Sequence, residues 1–246
     1  MKFKKIIACI TMLWGASSIL FSQTEFTTCL YDSGRNRPIP IVVYQPKHIN
    51  KHTKIIIFNH GYDGNKNSQS NKSYSCLTRP LSEKGYYVIS IQHELPDDPL
   101  LAMEGEFMKT RMPNWEQGVK NILFTISEFK KLKPELDWSN LSMIGHSNGG
   151  DMTMLFATKY PDMIVKAISL DHRRMIMPRT EHPRIYTLRG SDYDADNGVI
   201  PSTDEQKDFH IKVVQLNEIN HSDMGNKGTL VQHKIMLDYL YDFLKH

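Results

Sequence analysis

The chain of 246 residues predicts an α/β fold, with a mostly parallel central sheet and helices on both of its faces. Three observations carry that expectation. Short β-branched runs alternate with helix-length amphipathic stretches along most of the sequence. Several of the runs are apolar at almost every position, as strands covered on both sides are. Strand and helix follow one another in order, the pattern that winds a parallel sheet.

The strands are expected in "IPIVVYQ" (39–45), "KIIIFN" (54–59), "YYVISI" (86–91), "LSMIG" (141–145), "VKAISL" (165–170), "RIYTLRG" (184–190) and "IKVVQL" (211–216). An earlier run at 26–32 lies close enough to 39–45 to form an antiparallel edge. The helix at 115–132 sets Val119, Ile122, Leu123, Ile126 and Phe129 on one face, with Pro113 before it and Pro134 after it. A second helix, 150–160, stops at Pro161, and a third fills 229–246. No long insertion breaks the alternation, so no large lid domain is expected. The longest connection without periodicity, 93–114, is a candidate for substrate contact.

The composition, 40% hydrophobic and 23% charged, is that of a globular protein. Residues 1–22 read as a signal peptide: Lys2, Lys4 and Lys5 precede an apolar stretch from Ile6 to Phe21. Residues 23–246 are expected to form one domain, exported to the periplasm or secreted. Without the three lysines of 1–22, 27 of the 30 basic residues remain against 27 acidic ones. The balance gives no support for a nucleic-acid partner, and no stable membrane association is expected after cleavage. Cys29 and Cys76 remain in the mature chain, as a disulfide or as two buried thiols.

The chemistry centres on Gly145-His146-Ser147-Asn148-Gly149. This G-x-S-x-G lies between a predicted strand and a predicted helix, the setting in which such a turn presents a nucleophilic serine. A serine hydroxyl needs a base. Among eleven histidines, His221 falls between the last strand and the last helix, late in the chain as a serine, acid, base order requires. The acid is expected just beyond "RIYTLRG", where Asp192 is nearest the strand end; Asp196 and Asp194 are the alternatives. Oxyanion N–H groups are expected from Asn148, at the helix start, and from Tyr62, after His60-Gly61 at the end of the first central strand. Arg111, with Arg173 and Arg174, is a candidate substrate contact; the alternative is ion pairing within loops. His93 and His172 lie in no metal-ligand spacing, so no metal is expected.

Together these segments resemble the α/β-hydrolase fold family, and "DSGRNRPIPIVVYQP" resembles the entry strands of hydrolases related to platelet-activating-factor acetylhydrolase and dienelactone hydrolase. The resemblance spans about Phe26 to the C-terminus. It implies a triad of Ser147, His221 and an acid after "YTLRG", oxyanion donors at Tyr62 and Asn148, and no cofactor. The expected activity is serine hydrolysis of small or medium-sized carboxylic esters through an acyl-enzyme. A peptidase or amidase with the same triad is the alternative, followed by a secreted binding module without catalysis.

Overall fold

The computed structural model describes residues 24–246; the signal peptide expected at 1–22 lies outside the described residues. Eight strands form one sheet: β1 (Thr24–Asp32), β2 (Arg37–Gln45), β3 (Lys54–Asn59), β4 (Tyr87–Ile91), β5 (Asp137–His146), β6 (Lys166–Leu170), β7 (Arg184–Arg189) and β8 (Lys212–Gln215). Their order is β1-β2-β4-β3-β5-β6-β7-β8. Only β2 runs against its neighbours, and every pair from β4 to β8 is parallel.

The period-two alternation of strand side chains divides the core between the two faces. Ile55 and Ile57 of β3 point to one face, where they join Val119, Ile122 and Ile126 of α3 (Met112–Leu132) and Met152 and Phe156 of α4 (Asn148–Lys159). Ile56 and Phe58 point to the other, with Leu77 and Leu81 of α1 (Ser75–Glu83) and Met236, Leu240 and Phe243 of α6 (Leu230–Lys245). Two short helices complete the set, α2 (Phe107–Thr110) and α5 (Thr203–Asp208). Cys29 on β1 and Cys76 on α1 are free thiols, and burial pushes the Cys76 thiol up to about 12. Among the described residues, no helix is long and apolar enough to cross a membrane.

Register fixes what meets at the carboxyl end of the sheet. Asn59 of β3 pairs with Gly145 of β5, His146 pairs with Leu170 of β6, and Leu170 pairs with Leu188 of β7. The next residues on those strands or past their ends, His60, Ser147, Asp171 and Arg189, therefore gather at one rim. In an open α/β sheet that rim is where ligands bind.

Candidate active site

Ser147 sits between β5 and α4 with φ 52° and ψ −122°, a conformation few non-glycine residues adopt. Its cost, on the order of 1–3 kcal/mol, is held by the packing around it. The Ser147 N–H donates to the Leu170 carbonyl at 2.9 Å, and its own carbonyl accepts the first α4 bond, from Asp151 N–H, at 2.9 Å. A Cβ on Gly145 would overlap the Gly149 carbonyl and Thr153 Oγ1, and one on Gly149 would overlap the carbonyls of Asn59 and His60. Both glycines are needed for the close approach of backbone that makes this turn sharp.

His221 opens a short 3₁₀ turn, His221–Met224, between β8 and α6. Its Nε2 lies 3.0 Å from Ser147 Oγ, and its Nδ1 lies 2.6 Å from Asp171 Oδ2. Asp171 is fully buried, directly after β6, and also takes the left-handed backbone region, with φ 52°. Its Oδ1 accepts the Gly190 N–H at 2.9 Å and faces Arg189 at 2.9 Å. Burial alone would raise this carboxyl. The hydrogen bond from His221, the Arg189 charge and the Gly190 N–H outweigh it and hold the group below the ordinary carboxylate value.

The expected acid is therefore corrected: the carboxylate at His221 Nδ1 is Asp171, and neither Asp192 nor Asp196 takes that place. The register gives the reason. Asp171 follows the residue paired with His146 and so lies in the row of Ser147, whereas Asp192 and Asp196 lie three and seven residues past the end of β7. Asp192 Oδ1 accepts the backbone N–H of His221 at 2.7 Å, so it holds the main chain of that residue and not its ring. Asp196 pairs with Arg174, and Asp194 is exposed.

Asn148 is the first residue of α4, so its N–H has no carbonyl to meet within the helix. Its side chain is locked from three sides. Trp115 Nε1 donates to Oδ1 at 2.8 Å, while Nδ2 donates to Glu94 Oε1 and Asn114 Oδ1, both at 2.9 Å. Tyr62 lines a cleft of about 480 Å³ with Gly61, Tyr74, Ser147, His221 and Lys227. Arg111 is not in that lining. Its Nε donates to the Ala102 carbonyl at 2.8 Å, and its guanidinium, like that of Arg174, lies 4.4 Å from the Phe107 ring. Arg111, the candidate substrate contact, is held by packing outside this cleft. The 93–114 connection contributes support, chiefly Glu94 beneath Asn148.

His93 and His172 are occupied structurally. His93 Nε2 lies 2.9 Å from Asn59 Oδ1, and burial pushes this imidazole well below its usual value, so it is neutral. His172, bonded to Ser169 and the Met175 carbonyl, is likewise pushed by burial down to about 3. Among the described residues, no three His, Cys, Asp or Glu side chains are grouped to hold a metal ion. The site residues that sequence reasoning missed are Asp171, Tyr74 and His146. Asp171 had a readable signal, an acid immediately after the apolar run "VKAISL". Tyr74 had none.

Comparison with known proteins bears on the fold. No protein-family model matches the chain. A human serine hydrolase-like protein is 30% identical over 77 residues, 31% of this chain and 38% of that protein. A Danio rerio protein of the same name is 33% identical over 48 residues, 20% of this chain and 15% of that one. The matches thus span less than half the length of these relatives. Solved structures match nearly the whole chain at low identity. An esterase from Rhizomucor miehei superposes with a TM-score of 0.64 at 13% identity, over 93% of this chain and 84% of that one. XC6422 from Xanthomonas campestris, described as a serine hydrolase without a lid, gives 0.58 at 14%, over 89% and 94%. Dienelactone hydrolase from Anabaena variabilis gives 0.55 at 14%, over 90% and 98%. The chain has the α/β-hydrolase fold, and among the described residues no large lid domain is inserted.

Proposed function

We propose that this protein is a serine hydrolase that cleaves carboxylic esters of small or medium size through an acyl-enzyme. The observation that carries the proposal is the alignment of Ser147 Oγ, the His221 ring and Asp171, at 3.0 and 2.6 Å, beside an open cleft. His221 Nε2 takes the Ser147 proton as Oγ attacks the ester carbonyl. The backbone N–H groups of Asn148 and Tyr62 stabilise the oxyanion. Asp171 holds Nδ1–H and stabilises the imidazolium. Collapse of the tetrahedral species expels the alcohol, which receives the proton from Nε2. Water, deprotonated by the same nitrogen, then releases the acid and restores Ser147.

The fold supports the reading without specifying it, since one fold hosts many activities. The test is Ser147→Ala in the mature chain. Hydrolysis of 4-nitrophenyl acetate and labelling by a fluorophosphonate probe should both fall to background. Turnover that survives the substitution rejects the assignment. Comparing acyl esters with aminoacyl anilides separates ester from amide cleavage. Export is proposed from the basic and apolar pattern of 1–22; cell fractionation followed by amino-terminal sequencing tests it, and a protein confined to the cytoplasm with Met1 intact would contradict it.

A further inference from the structure

We infer that Tyr74 and His146 form a positioning pair that keeps the oxyanion loop and the base in register around Ser147, an inference that rests on the ester-hydrolase reading above. Neither side chain carries out a step of the reaction. The basis is a continuous run of hydrogen bonds. The Gly61 N–H donates to Tyr74 Oη at 3.0 Å. Tyr74 Oη lies 2.7 Å from His146 Nδ1, and His146 Nε2 lies 3.0 Å from the His221 carbonyl oxygen.

The direction of every bond follows from elementary chemistry. A carbonyl oxygen only accepts, so His146 Nε2 must carry a proton. In the neutral ring Nδ1 is then an acceptor and receives the Tyr74 hydroxyl. The tyrosine oxygen, having donated its own proton, accepts from Gly61. Burial, followed by the nearby His221, pushes His146 down to about 3, so the ring is neutral and this arrangement is kept through the neutral range. The rings pack as well as bond, with centroids 5.4 Å apart for Tyr74 and His146 and 4.5 Å for His146 and His221.

The ends of this run are where position matters. Gly61 immediately precedes Tyr62: Tyr74 anchors the peptide on its amino side, and the Gly61 carbonyl, 2.8 Å from His60 Nδ1, anchors the next peptide, the one that carries the Tyr62 N–H, so the two contacts together limit the turn of Gly61. At the other end, His221 is held at three points: its N–H by Asp192, its Nδ1 by Asp171 and its carbonyl by His146. Removing the third point lets the residue turn about the other two. The segment after β3, the end of β5 and the segment after β8 are thereby tied together by two side chains, both buried.

The experiment compares the full mature chain with Tyr74→Phe, His146→Leu, His146→Gln and the Tyr74→Phe/His146→Leu double variant. It measures kcat and KM on 4-nitrophenyl acetate, Ki for a trifluoromethyl ketone, and Tm. Tyr74→Phe removes one oxygen atom and should lower kcat about 10- to 100-fold, a partial loss of an oxyanion donor. KM should change little, while Ki for the ketone should rise by about the same factor as kcat/KM falls. His146→Gln, whose amide can donate to the His221 carbonyl and accept from Tyr74, should recover part of what His146→Leu loses. In the double variant the two losses should be less than multiplicative, as for groups acting through one connection.

A Tyr74→Phe protein with full kcat, even if it melts earlier, overturns the inference, as do losses that multiply. Should His146→Leu not fold, histidine ¹⁵N shifts in wild type and Tyr74→Phe decide. A His146 ring protonated on Nδ1, or one whose Nδ1 shift is indifferent to Tyr74→Phe, overturns the inference. An inactive, unlabelled wild type rejects the ester reading and this role with it. An active wild type beside a fully active Tyr74→Phe rejects the positioning role alone.

Discussion

Asp171 and Asp192 both bond to His221, and the atoms they bond to separate their roles. Asp171 meets the ring nitrogen at 2.6 Å, whereas Asp192 meets the main-chain N–H at 2.7 Å. Only the first can choose the tautomer that leaves Nε2 free to accept the serine proton. Asp171→Asn places an amide where the ring must donate, which favours the wrong tautomer and should lower kcat by about 10²- to 10⁴-fold. Asp192→Asn keeps an acceptor oxygen for the N–H and should stay within about tenfold of wild type, given that a neutral hydrogen bond contributes only about 1 kcal/mol. Steady-state kinetics on an activated ester, with circular dichroism to confirm folding, checks both. The reverse ranking would return the acid to the loop after β7. Sequence placed Ser147 and His221 because each has a local signature, a strained turn and a strand-to-helix position. It misplaced the acid because a carboxylate's partner depends on which strands lie side by side, and "LDHRR" alone does not say that β6 is next to β5.

At the scale of elements, α4 does more than present Ser147. Asp151, in its first turn, accepts the N–H groups of Arg174 at 3.0 Å and Met175 at 2.8 Å, joining the helix to the loop that begins with Asp171. Burial raises this carboxyl to about 6, against the pull of those two N–H groups. The unfolded value is ~3.9, so between about pH 4 and pH 6 the unfolded chain gives up its proton first and stability falls as pH rises. The penalty is absent below that window and complete above it, at most ~3 kcal/mol from about two units at ~1.4 kcal/mol each. Asp151→Asn keeps an acceptor without the charge. Urea unfolding should therefore show the variant gaining on wild type from pH 4 to pH 7, and a constant difference would contradict the ionisation argument. The elements themselves were unevenly legible. β3 falls at 54–59 as its apolar run implies, and α3 and α6 follow their 3.6-residue pattern. Helix α1 went unread because "SCLTRPLSE" holds Pro80 and presents only Leu77 and Leu81 as buried aliphatic side chains. Helices α2 and α5, of four and six residues, are too short for periodicity to show.

For the whole molecule, the sheet separates two apolar layers that share strands but few side chains. Ile122 lies in the layer with α3 and α4, and Leu240 in the layer with α1 and α6, both fully buried. Because β-strand side chains alternate faces, each layer can be weakened without touching the other. Ile122→Val should cost about 0.5–1.5 kcal/mol and Leu240→Ala about 2–5 kcal/mol, the range for deleting buried methyl groups. The layers nonetheless depend on the same eight strands, so the chain should unfold as one unit and the two losses should add. Residues farther apart than about 7–10 Å with no shared partner are additive to within ~0.5 kcal/mol. Denaturant titrations of the two single variants and the double variant, followed by far-ultraviolet circular dichroism and tryptophan fluorescence, give the measurement. Coincident transitions with additive losses mark one cooperative fold around the sheet. A separated second transition in the double variant would mean that the two layers unfold independently, whereas a coupling above about 1 kcal/mol would mean that strain passes through the sheet from one layer to the other. It would then reach the rim where Ser147, Asp171 and His221 meet.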